Sequence, residues 1–583
     1  MSAQSAPEAL PTAGARPDTG GRRPGAGRRL ARELLVPALC VGLAVGALAP
    51  GLFGGPDSVV GNTGDPSIFV WSLAWTPFAV SHGMDPLVTY YLHFPTGVNL
   101  MWNTAIVFPA LLLAPITAVF GPIAAYKVLL VLAMSLSGWC AYLALRRFTR
   151  HRLGAALGGL LYEFSPFMVL QTEGHAQLFI AVFPPLLVIF ADEMLVRQHR
   201  PAWLIGGLLG LATACQLLTG TELLTLSLLM SLPALVALAV IFRTQVRQRL
   251  GYALRVAGYA IVSFLVLAAF PLYILTLGPQ RISGALQGFV FQAQPSQFVV
   301  PSRWELIGGP APVLDSSVYI GVPLLILAVA VTVWMRRNAA VVTAAFTVLC
   351  TMVLALGGHI WLLGTRYPLP WYAAEHLPIL DNVLPVRLMV VAYLALGLIV
   401  ALFVDRVLEA PPRWRVAGLA AAAVALVPLI PSLPFPSAQF PIPAFFTDGS
   451  AQELPATGSV LITPYGSAWP QLWQAVAGFP FKTQLGQVFT PAKLYGHVFN
   501  APLDALGQEL TNLGNGAAAP AALTATQRAS YLADLQAHDV TTVIAGPAPG
   551  QAQVEELMTE LLGRSGTSTG GVVVWYRVGA GPG

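Results

Sequence analysis

Long apolar stretches alternate with short polar connectors along most of the chain. The first runs from Leu34 to Phe53, long enough for a helix that crosses about 30 Å of hydrocarbon. Further stretches of spanning length begin near Ile123, Leu153, Ala176, Ala202, Leu223, Tyr252, Val318, Ala339, Leu388 and Val416. The pattern predicts an α-helical polytopic membrane protein with about eleven spans.

A weaker apolar stretch, from Ala105 to Phe120, complicates the count. Its length allows only about 24 Å of helix, and it contains Pro109 and Pro115. We therefore expect it to re-enter the membrane or to lie at the interface. In the alternative, residues 67–80 and 105–120 both cross the membrane, which gives thirteen spans and leaves the C-terminal region on the same side of the membrane.

Composition excludes several classes of protein. Of 583 residues, 56% are apolar and 10% are charged, against roughly 25% charged in ordinary soluble domains. A soluble enzyme, a disordered protein and a nucleic-acid binder are thereby excluded. If the basic connectors are cytoplasmic, that side holds 21 of the 31 basic and 7 of the 26 acidic residues. The positive-inside rule then places the N-terminus in the cytoplasm of a cell-membrane protein and the C-terminal region outside.

The composition also changes along the chain and predicts four parts. Residues 1–33 have the composition of a disordered cytoplasmic tail. Residues 34–430 form the transmembrane domain, with a long first external loop at 54–104, and the proline-rich residues 431–452 form a linker. Residues 453–583 predict a small extracytoplasmic α/β domain, with strands at 459–463, 540–545 and 571–576 and helices at 469–479, 524–538 and 552–564.

Ionisable groups at the predicted external helix ends are candidates for chemistry, because such groups are costly near a bilayer. Asp65 is the candidate base that would deprotonate an acceptor hydroxyl, although an Asp before Pro-Ser also suits a helix N-cap. Glu173 and His175 are candidates to bind a divalent cation, Mg²⁺ or Mn²⁺, or to hydrogen-bond a sugar. Glu222 either supports the acceptor or caps a helix.

Further candidates would contact the substrate. Arg387 begins a membrane helix from its external end, where it either forks onto a lipid phosphate or snorkels. In the first loop, Trp71, Tyr91 and Asn103 are candidate substrate contacts. Aromatic residues at helical spacing in this loop also suit a plain anchor at the membrane interface.

Several of these features together resemble the GT-C superfamily of integral-membrane glycosyltransferases. They are an acid in a long first external loop, aromatic interfacial helices, a basic cytoplasmic turn, and a second acid-bearing external turn after Ser165-Pro166. Residues 146–185, with Gly-Gly-Leu-Leu-Tyr-Glu-Phe-Ser-Pro, are similar to YfhO-type and related actinobacterial membrane proteins, and Trp473 to Phe479 resembles the tail domain of the latter.

The GT-C resemblance implies roles for particular residues. Asp65 matches the catalytic first-loop acid, and Glu173 and His175 fall where oligosaccharyltransferases carry a second acidic motif. The first loop lacks the Asp-x-Asp pattern, which leaves open whether the activity depends on a metal ion. The implied donor is a polyprenyl-phosphate-linked sugar, and the implied acceptor is an envelope glycan, a lipid or a protein.

An inverting glycosyltransferase with an external site is therefore the leading hypothesis, and two other classes stay open. A transporter or flippase of a lipid-linked intermediate predicts broken helices and charges near the middle of the bilayer. The charged residues cluster at span ends instead, which favours the enzyme. The third reading is a non-catalytic envelope scaffold.

Overall fold

The computed structural model describes residues 26–282, 291–308, 318–362, 364–491, 498–499, 504–514, 516–517 and 522–578, so most of the predicted tail lies outside the described residues. The helices are α1 Ala26–Phe53, α2 Asp65–Ser81, α3 Val107–Leu112, α4 Ala114–Phe120, α5 Pro122–Leu145, α6 Arg152–Glu163, α7 Pro166–Gln171, α8 Ala176–Phe179, α9 Phe183–Asp192, α10 Ala202–Leu217, α11 Thr221–Ile241, α12 Arg243–Leu277, α13 Val322–Trp334, α14 Ala339–Ala355, α15 Trp371–Ala374, α16 Met389–Leu408, α17 Pro412–Leu426, α18 Trp469–Val476, α19 Ala505–Gly514, α20 Ala525–Ala537 and α21 Gln551–Leu562.

Short strands connect or accompany these helices. They are β1 Ser58–Val60, β2 Val88–Thr89, β3 Val98–Asn99, β4 His359–Leu362, β5 Thr365–Pro368, β6 Ser437–Gln439, β7 Ser459–Thr463, β8 Phe489–Thr490, β9 Val498–Phe499, β10 Val540–Ala545, β11 Thr567–Thr569 and β12 Val572–Tyr576. Helices dominate the first part of the chain, and the four-stranded sheet is confined to the C-terminal part.

The prediction of a polytopic helical membrane protein is confirmed. Within the described residues, seven helices are long and apolar enough to cross a membrane, and α10, α13 and α14 are shorter apolar helices. The predicted span near Val416 forms α17, which belongs to neither group. Residues 105–120 form the short helices α3 and α4 rather than one span.

One compact unit comprises the described residues within 1–49, 130–268 and 287–435. Its core includes the pair α6 and α16, which approach closely where both have glycine: a Cβ added to Gly158 would lie 2.4 Å from the Gly397 carbonyl oxygen. Small residues are typical where membrane helices bring their backbones together. At the last turn of α16, Asp405 Oδ1 accepts the backbone N–H groups of Arg150 and His151, at 2.9 and 2.6 Å. The helices α6 and α16 are therefore held together by their close approach at the two glycines and by the hydrogen bonds at the C-terminal end of α16.

The connectors of this unit carry ion pairs, in keeping with the predicted clustering of charges at span ends. Arg147, after α5, pairs with Asp192 and, at 3.0 Å, with Glu193. Arg197 joins the same Asp192 at 2.7 Å. The Glu193 carboxylate also accepts the backbone N–H groups of His199 and Arg200, at 2.8 and 3.0 Å.

The second compact unit comprises the described residues within 50–129, 269–286 and 436–583. Its four-stranded sheet has the order β11-β12-β10-β7, with β10 and β7 parallel. The predicted strands and helices of the C-terminal part are present, whereas α19 and β11 were not predicted. In the same unit β1 of the first loop pairs with β6 of the predicted linker. These compact units do not follow the predicted domain boundaries, which stay a prediction.

Candidate functional site

Asp65 is the first residue of α2, and Gly64 occupies the N-cap position without a side-chain cap. The expectation that Asp65 itself is the N-cap is therefore wrong. Pro66 follows it in the first turn of the helix. Backbone N–H groups in that turn have no acceptor within the helix, so the N–H that proline lacks causes no loss of a helical hydrogen bond. Asp65 is half-buried, and its carboxylate lies in the first turn, where the helix macrodipole favours negative charge.

The aromatic residues that follow Asp65 are packed inside the second unit. Trp71 and Trp75 stack at 5.4 Å between ring centroids, and Tyr91 lies 5.3 Å from Trp75. Phe479 contacts all three rings at 5.6 to 5.9 Å. Trp71 is 1% exposed. Trp71 and Trp75 of α2 therefore pack against Phe479 of the C-terminal part, a partner that their spacing alone does not indicate.

Two side-chain amides hold the first loop against the C-terminal part of the chain. Gln474 accepts from the Trp71 indole N–H at 2.8 Å and donates to the Tyr91 carbonyl at 3.0 Å. Asn103 Oδ1 accepts the Phe489 N–H at 2.7 Å, and its amide nitrogen donates to the Phe489 carbonyl at 3.1 Å. Gln474 was not singled out from the sequence. The signal available was a pair of glutamines, Gln471 and Gln474, within the otherwise apolar helix predicted at 469–479.

Glu222 and Arg387, predicted separately, form an ion pair in the first unit. Glu222 Oε2 lies 2.7 Å from Arg387 Nη1, and the two side chains are 14% and 7% exposed. Glu222 lies in the first turn of α11 behind Gly220, which takes the N-cap position, so the expectation of a Glu222 cap is wrong. Arg387 lies on the 3₁₀ turn Pro385–Leu388 before α16 and is buried, so it does not snorkel.

Glu173 and His175 lie on the turn between α7 and α8. Glu173 Oε2 is 3.8 Å from Arg303 Nη2. Burial raises the pKa of Glu173, and the charge of Arg303 opposes that rise. His175 takes the N-cap position of α8 without a side-chain cap.

The sequence names Asp65, Glu173 and His175 as the ligands of a divalent cation, if one is bound. Across the described residues, no three His, Cys, Asp or Glu side chains are grouped to hold a metal ion. That search included Asp65, Glu173 and His175. The possible Mg²⁺ or Mn²⁺ therefore stays a prediction, and no chemical step is assigned to it.

Comparison with solved structures identifies the fold. No protein-family model matches the chain, and no curated protein matches it. The arabinofuranosyltransferase AftD from Mycobacteria is similar over 94% of this chain and 40% of its own, with a TM-score of 0.52 and 13% identity. The chain thus spans less than half of the length of that enzyme.

Two further membrane glycosyltransferases are similar at lower scores. The Archaeoglobus fulgidus oligosaccharyltransferase shares 11% identity over 88% of this chain and 69% of its own, with a TM-score of 0.47. ArnT from Cupriavidus metallidurans shares 13% identity over 78% of this chain and 75% of its own, with a TM-score of 0.38. The likeness to YfhO-type proteins stays a prediction. The TM-score of 0.52 shows that the chain shares the fold of the arabinofuranosyltransferase AftD, as the resemblance noted in the sequence leads one to expect.

Proposed function

We propose that the protein is a membrane glycosyltransferase that moves a sugar from a polyprenyl-phosphate donor to an extracytoplasmic acceptor: an envelope glycan, a lipid or a protein. The observation that carries the proposal is the fold shared with an arabinofuranosyltransferase over 94% of the chain. The buried Glu222–Arg387 pair supports it, because buried ionisable groups in membrane proteins are typical of functional sites.

The proposed reaction needs a base and a group that meets the charge of the leaving phosphate. Asp65 takes the proton of the acceptor hydroxyl as its oxygen forms a bond to the anomeric carbon. The bond from that carbon to the donor phosphate breaks, and its electrons stay on the polyprenyl phosphate. Attack opposite the leaving group inverts the anomeric configuration.

Arg387 is the proposed contact for the donor phosphate. A guanidinium has five N–H donors in a planar fork, which suits a phosphate, and Arg387 Nη1 is engaged by Glu222. Glu222 therefore orients the guanidinium and balances its charge before the donor arrives. Electrostatic stabilisation by a group already in place costs no reorganisation during the reaction.

The remaining predicted site residues take supporting roles in this proposal. Glu173 and His175 hydrogen-bond the acceptor sugar. Trp71, Tyr91 and Asn103 act through the first loop, because their contacts with Phe479, Gln474 and Phe489 hold that loop in place.

The proposed arrangement in the membrane follows the charge distribution. The tail at 1–33 lies in the cytoplasm, and the loop at 54–104 and the α/β domain at 453–583 lie outside. The transmembrane domain at 34–430 presents the site to the outer face, and residues 431–452 lead out of it.

The central test replaces the proposed base. Asp65→Asn keeps the size of the side chain and should abolish sugar transfer, because an amide cannot take the proton. Asp57→Asn, in the same loop, is the matched control and should retain transfer. Transfer is measured with a radiolabelled lipid-linked sugar in membranes of a deletion strain that carries each variant, and folding is checked by size-exclusion profile. Full transfer by a folded Asp65→Asn protein would disprove the role of Asp65.

The class of protein is tested by the lipids of the deletion strain itself. A transferase predicts that the lipid-linked sugar accumulates while a surface glycan, lipid or protein lacks that sugar. A lipid-linked intermediate trapped on the cytoplasmic face would instead indicate a flippase. Unchanged lipid-linked sugars and surface glycans would indicate a scaffold, and both results contradict the proposal.

A further inference from the structure

An open groove lies among three helices of the first unit, at the end where the basic connectors lie. Trp334 at the end of α13, Phe403 and Val407 on α16, and Trp414 and Ala417 on α17 form its apolar walls. Its volume is about 580 Å³, within the range of sites that hold small molecules or lipids. Nothing in the described residues fills it.

Two tryptophans indicate the level in the membrane at which the groove lies. Trp334 and Trp414 are 58% and 61% exposed, although both are large and apolar. Each lies at a helix end, Trp334 at the last residue of α13 and Trp414 in the first turn of α17. Tryptophan at such positions is enriched at the level of lipid headgroups, because its ring is apolar and its N–H is polar. The groove therefore opens at headgroup depth, with its apolar walls toward the acyl chains.

The rim of the groove is positively charged. Arg406 and Glu409 line it, and Arg406 Nη1 lies 3.4 Å from Glu409 Oε2. Arg150 Nη1 lies 2.9 Å from the other oxygen of Glu409. The guanidinium of Arg413 lies 5.7 Å from the ring centroid of Trp414. Two arginines thus pair with Glu409 and a third lies over Trp414, and the excess of arginine over this one carboxylate suits a phosphate.

We infer that the groove binds an anionic glycerophospholipid of the bilayer, with an acyl chain along the tryptophan-lined walls and its phosphate among Arg406, Arg413 and Arg150. A lipid supplies both an apolar chain and a negative headgroup at this depth, which matches the walls and the rim. Arg387 precedes the first residue of α16 and Arg406 lies in its last turn, so this site is separated from the proposed donor contact by the length of the helix. The inference does not depend on the proposed transfer reaction.

Native mass spectrometry of the purified full chain in detergent tests the inference. The probe is an equimolar mixture of phosphatidylglycerol and phosphatidylcholine with identical acyl chains. Phosphatidylglycerol adducts should predominate. The Arg406→Gln/Arg413→Gln variant should lose roughly 25-fold in phosphatidylglycerol affinity, since each arginine near a headgroup contributes roughly fivefold.

Matched variants separate the groove from general positive charge. Arg243→Gln/Arg247→Gln removes the same charge from two exposed arginines of another connector and should leave binding unchanged. Ala417→Phe places a large side chain in the groove while all arginines are kept, and it should also reduce phosphatidylglycerol binding. This variant tests the inference even if the Arg406→Gln/Arg413→Gln protein does not fold. Equal binding of the two lipids, an equal loss in the control, or full binding by Ala417→Phe would each overturn the inference. Displacement of phosphatidylglycerol by undecaprenyl phosphate at equal concentration would identify a different occupant and overturn it as well.

Discussion

Removing either partner of the Glu222–Arg387 pair should destabilise the protein more than removing both. The two side chains are 14% and 7% exposed and 2.7 Å apart, so a single replacement removes a close counter-charge from the buried partner that remains. Such a loss typically costs about 3–5 kcal/mol, whereas replacing both members with apolar residues of similar volume is often close to neutral. We expect Glu222→Leu and Arg387→Met each to lower the apparent free energy of unfolding by about 3–5 kcal/mol.

The double variant Glu222→Leu/Arg387→Met should lose less than either single variant. The assay is unfolding by titration with sodium dodecyl sulfate in mixed micelles, followed by tryptophan fluorescence. Arg150→Met is the control, because Arg150 is 70% exposed in its pair with Glu409 and should change the free energy by at most about 1 kcal/mol. If the double variant loses the sum of the two single losses, the charges are not coupled and the reasoning from burial fails.

Three further changes test the packing, the loop contact and the titration of a buried histidine. Gln474→Leu leaves the buried Trp71 N–H without an acceptor and should lower the free energy of unfolding by about 1–3 kcal/mol; an unchanged thermal midpoint would contradict this. Burial lowers the pKa of His93 from 6.5 to about 4, so as the pH falls the unfolded chain binds the proton before the folded protein does, and the free energy of unfolding should fall between pH 6.5 and pH 4. His93→Gln should flatten this part of the profile of stability against pH. An unaltered slope in the variant would refute the assignment. Gly158→Ala places a methyl group against backbone and should lower the melting temperature, whereas Gly207→Ala, with open space around it, should not; equal effects would argue against the close approach of α6 and α16.

Most of the helices could be predicted from the sequence because a membrane-spanning helix is marked by a continuous run of apolar residues within the helix itself. Each predicted span contains a helix in the structure, including Pro122–Leu145 and Met389–Leu408. The strands at 459–463 and 540–545 were equally visible, since both are short runs rich in β-branched residues between turn signals. α19 was missed because its apolar positions are few and its neighbourhood is rich in glycine and alanine.

Pairings distant along the chain could not be predicted. Glu222 and Arg387 each stood out as an ionisable residue at a span end, but nothing in a single sequence indicates that they meet. Trp71 and Gln474 are separated by 403 positions and bond directly. The spacing on α2 showed that its aromatic residues share a face, yet whether that face meets lipid, substrate or protein depends on tertiary packing.

The contacts between α6 and α16 bear on how the chain could adapt during evolution. Backbone touches backbone at Gly158 and Gly397, and Asp405 fastens the far end of α16 to the connector before α6. A change in the position of Arg387 by sliding or turning α16 would therefore break several contacts at once. On the proposed role of Arg387, a new donor preference would therefore arise through substitutions around a guanidinium that stays in place, while the positions of α6 and α16 change little.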